Sequence, residues 1–186
     1  MNLEKIKTAL TSEINPKINN NENQKLAAVL IIIYDNPPKI LMTKKPTTMA
    51  QHGGEISFPG GKLTNSDYNL LETALRETKE ETGLDISKKY VIGQLDQVTT
   101  LNSGFTILPF VCVLDSITNL VANSEVETFL QIPLIPFLET LENDIEPEHN
   151  SIQEMYLFTF EKNIIWGASA RMLKKVKENL TRENCF

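Results

Sequence analysis

The chain is poor in the residues that mark stapled, secreted or membrane-embedded proteins. It has two cysteines in 186 residues, Cys112 and Cys185. Two cysteines make no disulfide framework, and a reducing cytoplasm is the expected compartment. Cys112 sits in an apolar run and reads as a small core residue, whereas Cys185 reads as incidental. No stretch approaches the roughly 18 to 20 apolar residues that a membrane span needs. The longest apolar run, Leu26 to Tyr34, is strand length. Acidic and basic residues interrupt Met1 to Glu13, and no long apolar segment follows, so no signal peptide is expected. Positive charge is scarce too: 18 Lys and Arg stand against 24 Asp and Glu, a net charge of −6. Binding to a nucleic-acid backbone needs clustered Lys and Arg, so no nucleic-acid partner is expected. A small phosphorylated substrate is not excluded, because a metal ion can bridge phosphates to carboxylates.

What remains is an ordinary globular composition, 41% apolar and 23% charged. There is no internal repeat and no second composition regime, so residues 1–186 are expected to form one domain. Its first 24 residues read as a short helix carrying Leu3, Ile6 and Leu10, then a linker through Asn15-Pro16 and the polar run from Asn19 to Gln24. Strands are expected at Lys25–Tyr34, Ile40–Thr43, Glu55–Phe58, Tyr90–Thr99, Phe105–Leu114, Glu127–Ile132 and Met155–Phe160. Helices are expected at Tyr68–Thr82, stopped by Gly83, and at Ala168–Leu180. In the second of these, Lys174, Lys175 and Lys177 suit a negative helix end. Strands and helices do not alternate regularly, so the expected class is α/β in the α+β sense, a mixed central sheet between helices. Trp166 reads as core rather than as a stacking platform.

The chemistry concentrates in Arg76-Glu77-Thr78-Lys79-Glu80-Glu81-Thr82-Gly83-Leu84. At about 100° per residue, with Glu77 at zero, Glu80 falls at about 300° and Glu81 at about 40°. Three carboxylates therefore share one helix face, while Leu71, Ala74, Leu75 and Thr78 form a neighbouring face that can dock on a sheet. The carboxylates repel one another by a few tenths of a kcal/mol per close pair, which is roughly the size of a helical charge pair. Divalent cations remove that repulsion, and hard oxygen ligands suit Mg²⁺ or Mn²⁺. Arg76 can hold one carboxylate by a bidentate pair. A solvated acidic face is the plainer reading of the glutamates alone. The preceding Phe58-Pro59-Gly60-Gly61 shifts the balance, because such a loop lets backbone groups approach a ligand closely.

Gly61 to Leu84 resembles the Nudix box, G-x5-E-x7-R-E-U-x-E-E-x-G-U with U bulky and apolar. Arg76, Glu77, Glu80, Glu81, Gly83 and Leu84 match position by position, and Thr78 stands at the first U. Counting back from Arg76, Tyr68 occupies the place of the first Glu. Asp67, six residues after Gly61, is the alternative with one extra residue in the stretch that follows. The resemblance implies that Glu77, Glu80 and Glu81 bind metal or activate water, that the Gly60 carbonyl joins the metal ligands, and that a diphosphate bond is hydrolysed.

Further upstream, Leu41-Met42-Thr43-Lys44-Lys45 and Met49 to Gly61 resemble the signature preceding the box in coenzyme A pyrophosphatases, L-L-T-x-R-S-x-x-L-R-x-x-x-G-x-x-x-F-P-G-G. Ser103-Gly104-Phe105, Pro109-Phe110-Val111, Glu125-Val126, Pro133-Leu134 and Ile165 to Arg171 are similar to that subfamily as well. The resemblance implies cleavage of coenzyme A to 3′-phosphoadenosine 5′-phosphate and 4′-phosphopantetheine. Lys45-Pro46 replaces the usual Arg-Ser, and Ala50 a second Arg, so the charge at the first place stays while the planar guanidinium fork is lost. Lys44, Lys45 and His52, with Gly60 and Gly61, are the expected substrate side. Glu125 or Glu127 is the expected carboxylate from outside the box, as a further ligand or as the base. A nucleoside triphosphate or dinucleotide polyphosphate substrate, an inactive Nudix binding module, and an interaction protein with an acidic helix are the competing readings. A homodimer is left open.

Overall fold

The computed structural model describes residues 2–17, 24–49, 53–101, 103–145 and 155–184. His52, Ala50 and Cys185 lie outside the described residues. The elements in chain order are α1 (Leu3–Leu10), β1 (Lys25–Tyr34), β2 (Lys39–Lys44), β3 (Ile56–Ser57), β4 (Gly60–Lys62) and α2 (Leu70–Thr82). A 3₁₀ turn at Lys88–Tyr90 leads to β5 (Val91–Gln94), β6 (Val98–Thr99), β7 (Phe105–Leu114), β8 (Thr128–Pro133) and α3 (Leu134–Glu139). The chain continues through β9 (Glu142–Asn143), β10 (Tyr156–Phe160) and β11 (Asn163–Ile165) to α4 (Gly167–Arg182).

The organising strand is β1. Nine of its ten residues are buried, as a central strand covered on both faces requires. It pairs in parallel with β7 over its whole length, from Lys25 with Phe105 to Tyr34 with Leu114. Its other edge is shared. The C-terminal half pairs with β2, while Ala27 to Val29 pair with β4. β1 and β2 therefore diverge, and the chain from β3 to β4 is wedged between them, with Pro59 accepting a backbone hydrogen bond from Leu30. β5 and β6 add to β7, and β8 to β2, giving a mixed eight-stranded sheet. A separate three-stranded sheet joins β9, β10 and β11.

Alternation along β1 sends Val29, Ile31 and Ile33 into one core with α1, α3 and α4, and Ala28, Leu30 and Ile32 into a second core with α2. The expected mixed sheet between helices is what forms. Burial of each large aliphatic side chain here contributes about 1.5–3 kcal/mol.

Several sequence expectations need correction. The strand expected across Tyr90–Thr99 is divided, because the chain is a 3₁₀ turn through Tyr90 and leaves the sheet between Gln94 and Val98. Four short elements carried no periodic signal: β4, α3, β9 and β11. Trp166 is not core, since 43% of its surface is exposed where it caps α4. Lys174, Lys175 and Lys177 do not sit at a helix end, because α4 runs on to Arg182. Lys174 instead pairs with Glu178, and Lys175 with Asp96. Cys112 is fully buried as expected, and burial pushes its thiol up to about 12.

Candidate active site

Helix α2 starts at Asn69, whose side chain accepts hydrogen bonds from the Leu71 and Glu72 amides, and stops at Gly83 in the left-handed conformation. Its buried residues are Leu70, Thr73, Ala74, Thr78, Glu81 and Thr82. That stripe is rotated from the expected one: Leu71 and Leu75 are only half-buried, and Glu81 falls on the core side. A carboxylate thus sits where periodicity alone would place an apolar residue. Thr78 is buried as well, and its hydroxyl finds no hydrogen-bond partner among the described residues.

The loop ahead of the helix makes room for the acids. Glu81 is 3% exposed, and its Oε2 accepts a 3.1 Å hydrogen bond from the Gly60 amide. A methyl group added at Gly60 would lie 2.3 Å from the Ala28 carbonyl, so only glycine lets the strand run that close to β1. A Cβ at Gly61 would lie 2.4 Å from the Glu77 carboxylate carbon. The two glycines therefore form a floor against which Glu77 and Glu81 rest.

Arg76 organises the outer side. Its Nε donates to Asp67 Oδ1 at 2.8 Å and its Nη2 to Asp67 Oδ2 at 2.9 Å, a bidentate pair. Asp67 Oδ2 also accepts from the Thr64 amide and hydroxyl and from the Thr73 hydroxyl. With that edge of the guanidinium taken, Nη1 reaches Glu77 Oε1 at 2.9 Å and Glu80 Oε2 at 3.2 Å. Of the two candidates for the first box position, Asp67 is the one that holds the arginine, while Tyr68 is 84% exposed. The spacing Thr64-x-x-Asp67 was the available signal, since such pairs close turns through side-chain to backbone hydrogen bonds.

Across from the helix, Lys45 lies between β2 and β3, with its amide bonded to the Glu55 carbonyl. Its Nζ is 3.6 Å from Glu125 Oε2. Lys45 attracts Glu81, and Glu125 repels both Glu77 and Glu81, which places all four groups in one electrostatic neighbourhood. Lys44 is not brought in: its ammonium meets Asn163 Oδ1 at 3.3 Å. Alternation on β2 separates the two lysines. Glu127 is exposed and joins the β2 edge through its amide, which donates to the Lys44 carbonyl at 2.8 Å.

The electrostatics divide the acids. Burial pushes Glu81 up to about 7, opposed by the Gly60 amide and by Lys45. Burial also raises Glu77, against the pull of Arg76. The Arg76 guanidinium holds Asp67 well below the usual carboxylate range, and Asp67 in turn raises Arg76. Among the described residues no three acidic side chains close around a single point as a finished metal cage. The donor chemistry nevertheless fits a hard divalent cation. Glu81 is buried and repelled by Glu77 and Glu125, and among the described residues Lys45, which also pairs with Glu125, is the cation that attracts it.

A family model for the NUDIX domain matches residues 24–173. The chain belongs to the Nudix family. A curated relative, named uncharacterized Nudix hydrolase NudL, from Yersinia enterocolitica is 35% identical over 162 residues, 85% of this chain and 83% of its own. The MutT/nudix family protein from Enterococcus faecalis superposes with a TM-score of 0.62 at 14% identity, covering 89% of this chain and 65% of that one. The NUDIX domain of Shewanella oneidensis NrtR, complexed with ADP-ribose, superposes with a TM-score of 0.50 at 20% identity, covering 65% of this chain and 82% of that one. At such identities the two superpositions establish the fold alone. This Nudix chain is a hydrolytic enzyme of the pyrophosphohydrolase type. No helix among its described residues is long and apolar enough to cross a membrane.

Proposed function

We propose that this Nudix enzyme hydrolyses the diphosphate of coenzyme A or a derivative, giving 3′-phosphoadenosine 5′-phosphate and 4′-phosphopantetheine. The observation that carries the reading is the meeting of two distant motifs. Lys45, from the upstream segment that resembles the coenzyme A signature, faces Glu125 and Glu81 beside the box. Glu77, Glu80 and Glu81, with the Gly60 carbonyl, would hold Mg²⁺ or Mn²⁺. When bound, the cation neutralises the diphosphate and lowers the pKa of the attacking water.

The chain's own groups have separate tasks. Arg76 is a positioning residue. Locked by Asp67, it steers Glu77 and Glu80 through one nitrogen. Glu81 is raised to about 7 by burial in the metal-free protein, and a bound cation would favour its ionised form as a ligand. Lys45 supplies positive charge on the wall opposite the helix and fits a diphosphate oxygen. Burial of Glu81 and close approach of the glycine loop keep bulk water from screening these charges.

The test is hydrolysis of coenzyme A beside ADP-ribose, nucleoside triphosphates and dinucleotide polyphosphates, with Mg²⁺ or Mn²⁺ and chromatographic separation of products. Release of 3′-phosphoadenosine 5′-phosphate faster than any nucleotide is cut supports the reading. A nucleotide cut faster than coenzyme A overturns the substrate and leaves the hydrolase.

A further inference from the structure

Two lysines converge on one aromatic ring at the end of the sheet next to the box. Lys25 Nζ is 5.6 Å and Lys62 Nζ 5.3 Å from the centroid of Phe105. Register brings them together. Lys25 pairs with Phe105 across β1 and β7, and Lys62 pairs with Ala27 on the other side of β1. Lys25 Nζ also donates to the Ser103 carbonyl at 3.3 Å. Neither ammonium meets a carboxylate among the described residues. Two cations held over one ring repel each other, in a chain whose net charge is −6. The ring face attracts both, but only modestly at an exposed site. Such a pair is most stable when a dianion lies between its members.

The pair is close to the chemistry. Lys62 follows Gly61, and its carbonyl accepts a 3.4 Å hydrogen bond from Arg76 Nη2. It stands two strand positions, about 7 Å, beyond Gly60, whose amide holds Glu81. Its side chain leaves β4 on the face opposite to that of Gly61, the side of the sheet that carries α4. Arg171 of α4 adds a guanidinium at the same strand end, where its Nη2 donates to the Thr99 carbonyl at 2.7 Å.

We infer that Lys25, Lys62 and Phe105 form a subsite for a phosphate monoester carried on the sugar of the substrate, beyond the diphosphate that is cut. The inference rests on the proposed substrate class and deepens it. The two ammoniums take the monoester dianion. The ring holds both lysine stems and leaves an apolar edge for the sugar. The subsite acts as a specificity determinant: a substrate with this phosphate is chosen over its counterpart without it.

The experiment compares coenzyme A with 3′-dephospho-coenzyme A as substrates for the wild type and for a Lys25→Gln/Lys62→Gln double variant. The wild type is expected to favour coenzyme A in kcat/KM by about tenfold, as one charge-assisted contact provides. The double variant is expected to lose that ratio, while a Lys89→Gln control keeps it. A ratio that survives in the double variant overturns the subsite. A binding arm is independent of hydrolysis. Calorimetry should show adenosine 3′,5′-bisphosphate binding about tenfold tighter than AMP to the wild type, and equally to the double variant. No preference in the wild type overturns the subsite even if coenzyme A is cut. A preference present there while coenzyme A is not cut overturns the substrate alone.

Discussion

Asp67 precedes the arginine-glutamate helix and Glu81 lies near its end; both carboxylates are largely hidden, with 3% of the Asp67 side chain and 3% of Glu81 exposed, and Glu81 is the deeper of the two. Their chemistry runs in opposite directions. Asp67 is roofed by its own partners: two guanidinium nitrogens, one amide and two hydroxyls. Glu81 is packed deep against the sheet, with one amide as its hydrogen-bond donor. The first is driven below the usual carboxylate range, and the second is pushed up to about 7. Loss of solvent raises the proton affinity of a hidden acid, as at Glu81, unless charged and hydrogen-bonding donors outweigh it, as at Asp67. The number and charge of the donors that replace water decide the balance. A saturated carboxylate holds structure together. An undersaturated one keeps capacity for a proton or a cation.

The largest expected effect is on Glu81. Glu81→Gln should lower kcat by about 10² to 10⁴, the size of a lost acid–base group or metal ligand. The same variant should raise the melting temperature of the metal-free protein at pH 8, because it removes a buried charge. A Glu81→Gln protein with full hydrolytic rate would contradict the assignment.

Asp67→Asn should behave in the opposite way. It leaves Arg76 without its anchor and should cost about 2 kcal/mol, as hydrogen bonds to a charged group do, which is roughly 4 to 8 °C in Tm for a chain of this size. Activity should fall only by way of misplaced Glu77 and Glu80. If Asp67→Asn melts with the wild type, the contrast between the two acids fails.

Titration sharpens the same contrast. Glu81 has a raised folded pKa, so between its unfolded value and about 7 the folded state binds the extra proton. Its contribution favours the fold below that window and is lost as pH rises through about 7. Asp67 has a depressed folded pKa, so its contribution is present above the unfolded value and is lost as the solution is acidified below it. Melting curves of metal-free protein from pH 4 to 8 should show the first slope, absent in Glu81→Gln. Mg²⁺ affinity should rise with pH through the same window, because binding must displace the proton.

Lys45→Ala is expected to raise KM several-fold, about the worth of one partly exposed charge contact, with little change in kcat. An unchanged KM would remove Lys45 from the substrate side. The smallest effect is expected at Thr78. Thr78→Val removes a buried hydroxyl without a partner and should stabilise the protein by about 1 kcal/mol at unchanged activity, read from Tm and initial rates.

Much of this molecule follows from local patterns. The ten-residue runs of β1 and β7 are apolar apart from Lys25 and Thr106, and both are strands with the expected limits. The order of Arg76, Glu77, Glu80, Glu81 and Gly83 places the acids on one side of a helix whatever surrounds it, because 3.6 residues make a turn. The two glycines before them are legible for the same reason, since only a missing side chain allows backbone to pass so near. Tertiary contact decided the rest. Which of Asp67 and Tyr68 anchors Arg76 depends on how the loop from Thr64 folds back. The sequence spacing also does not reveal that Glu81 enters the core side of α2 while Glu80 stays 54% exposed at its side chain. Lys44 and Lys45 are neighbours with the same charge, and strand alternation sends only one to the carboxylates. Lys25, Lys62 and Phe105 are far apart in the chain and meet because β1 is paired on both edges. Periodicity governs which face a residue takes; burial, partner count and strand register come only with the folded sheet.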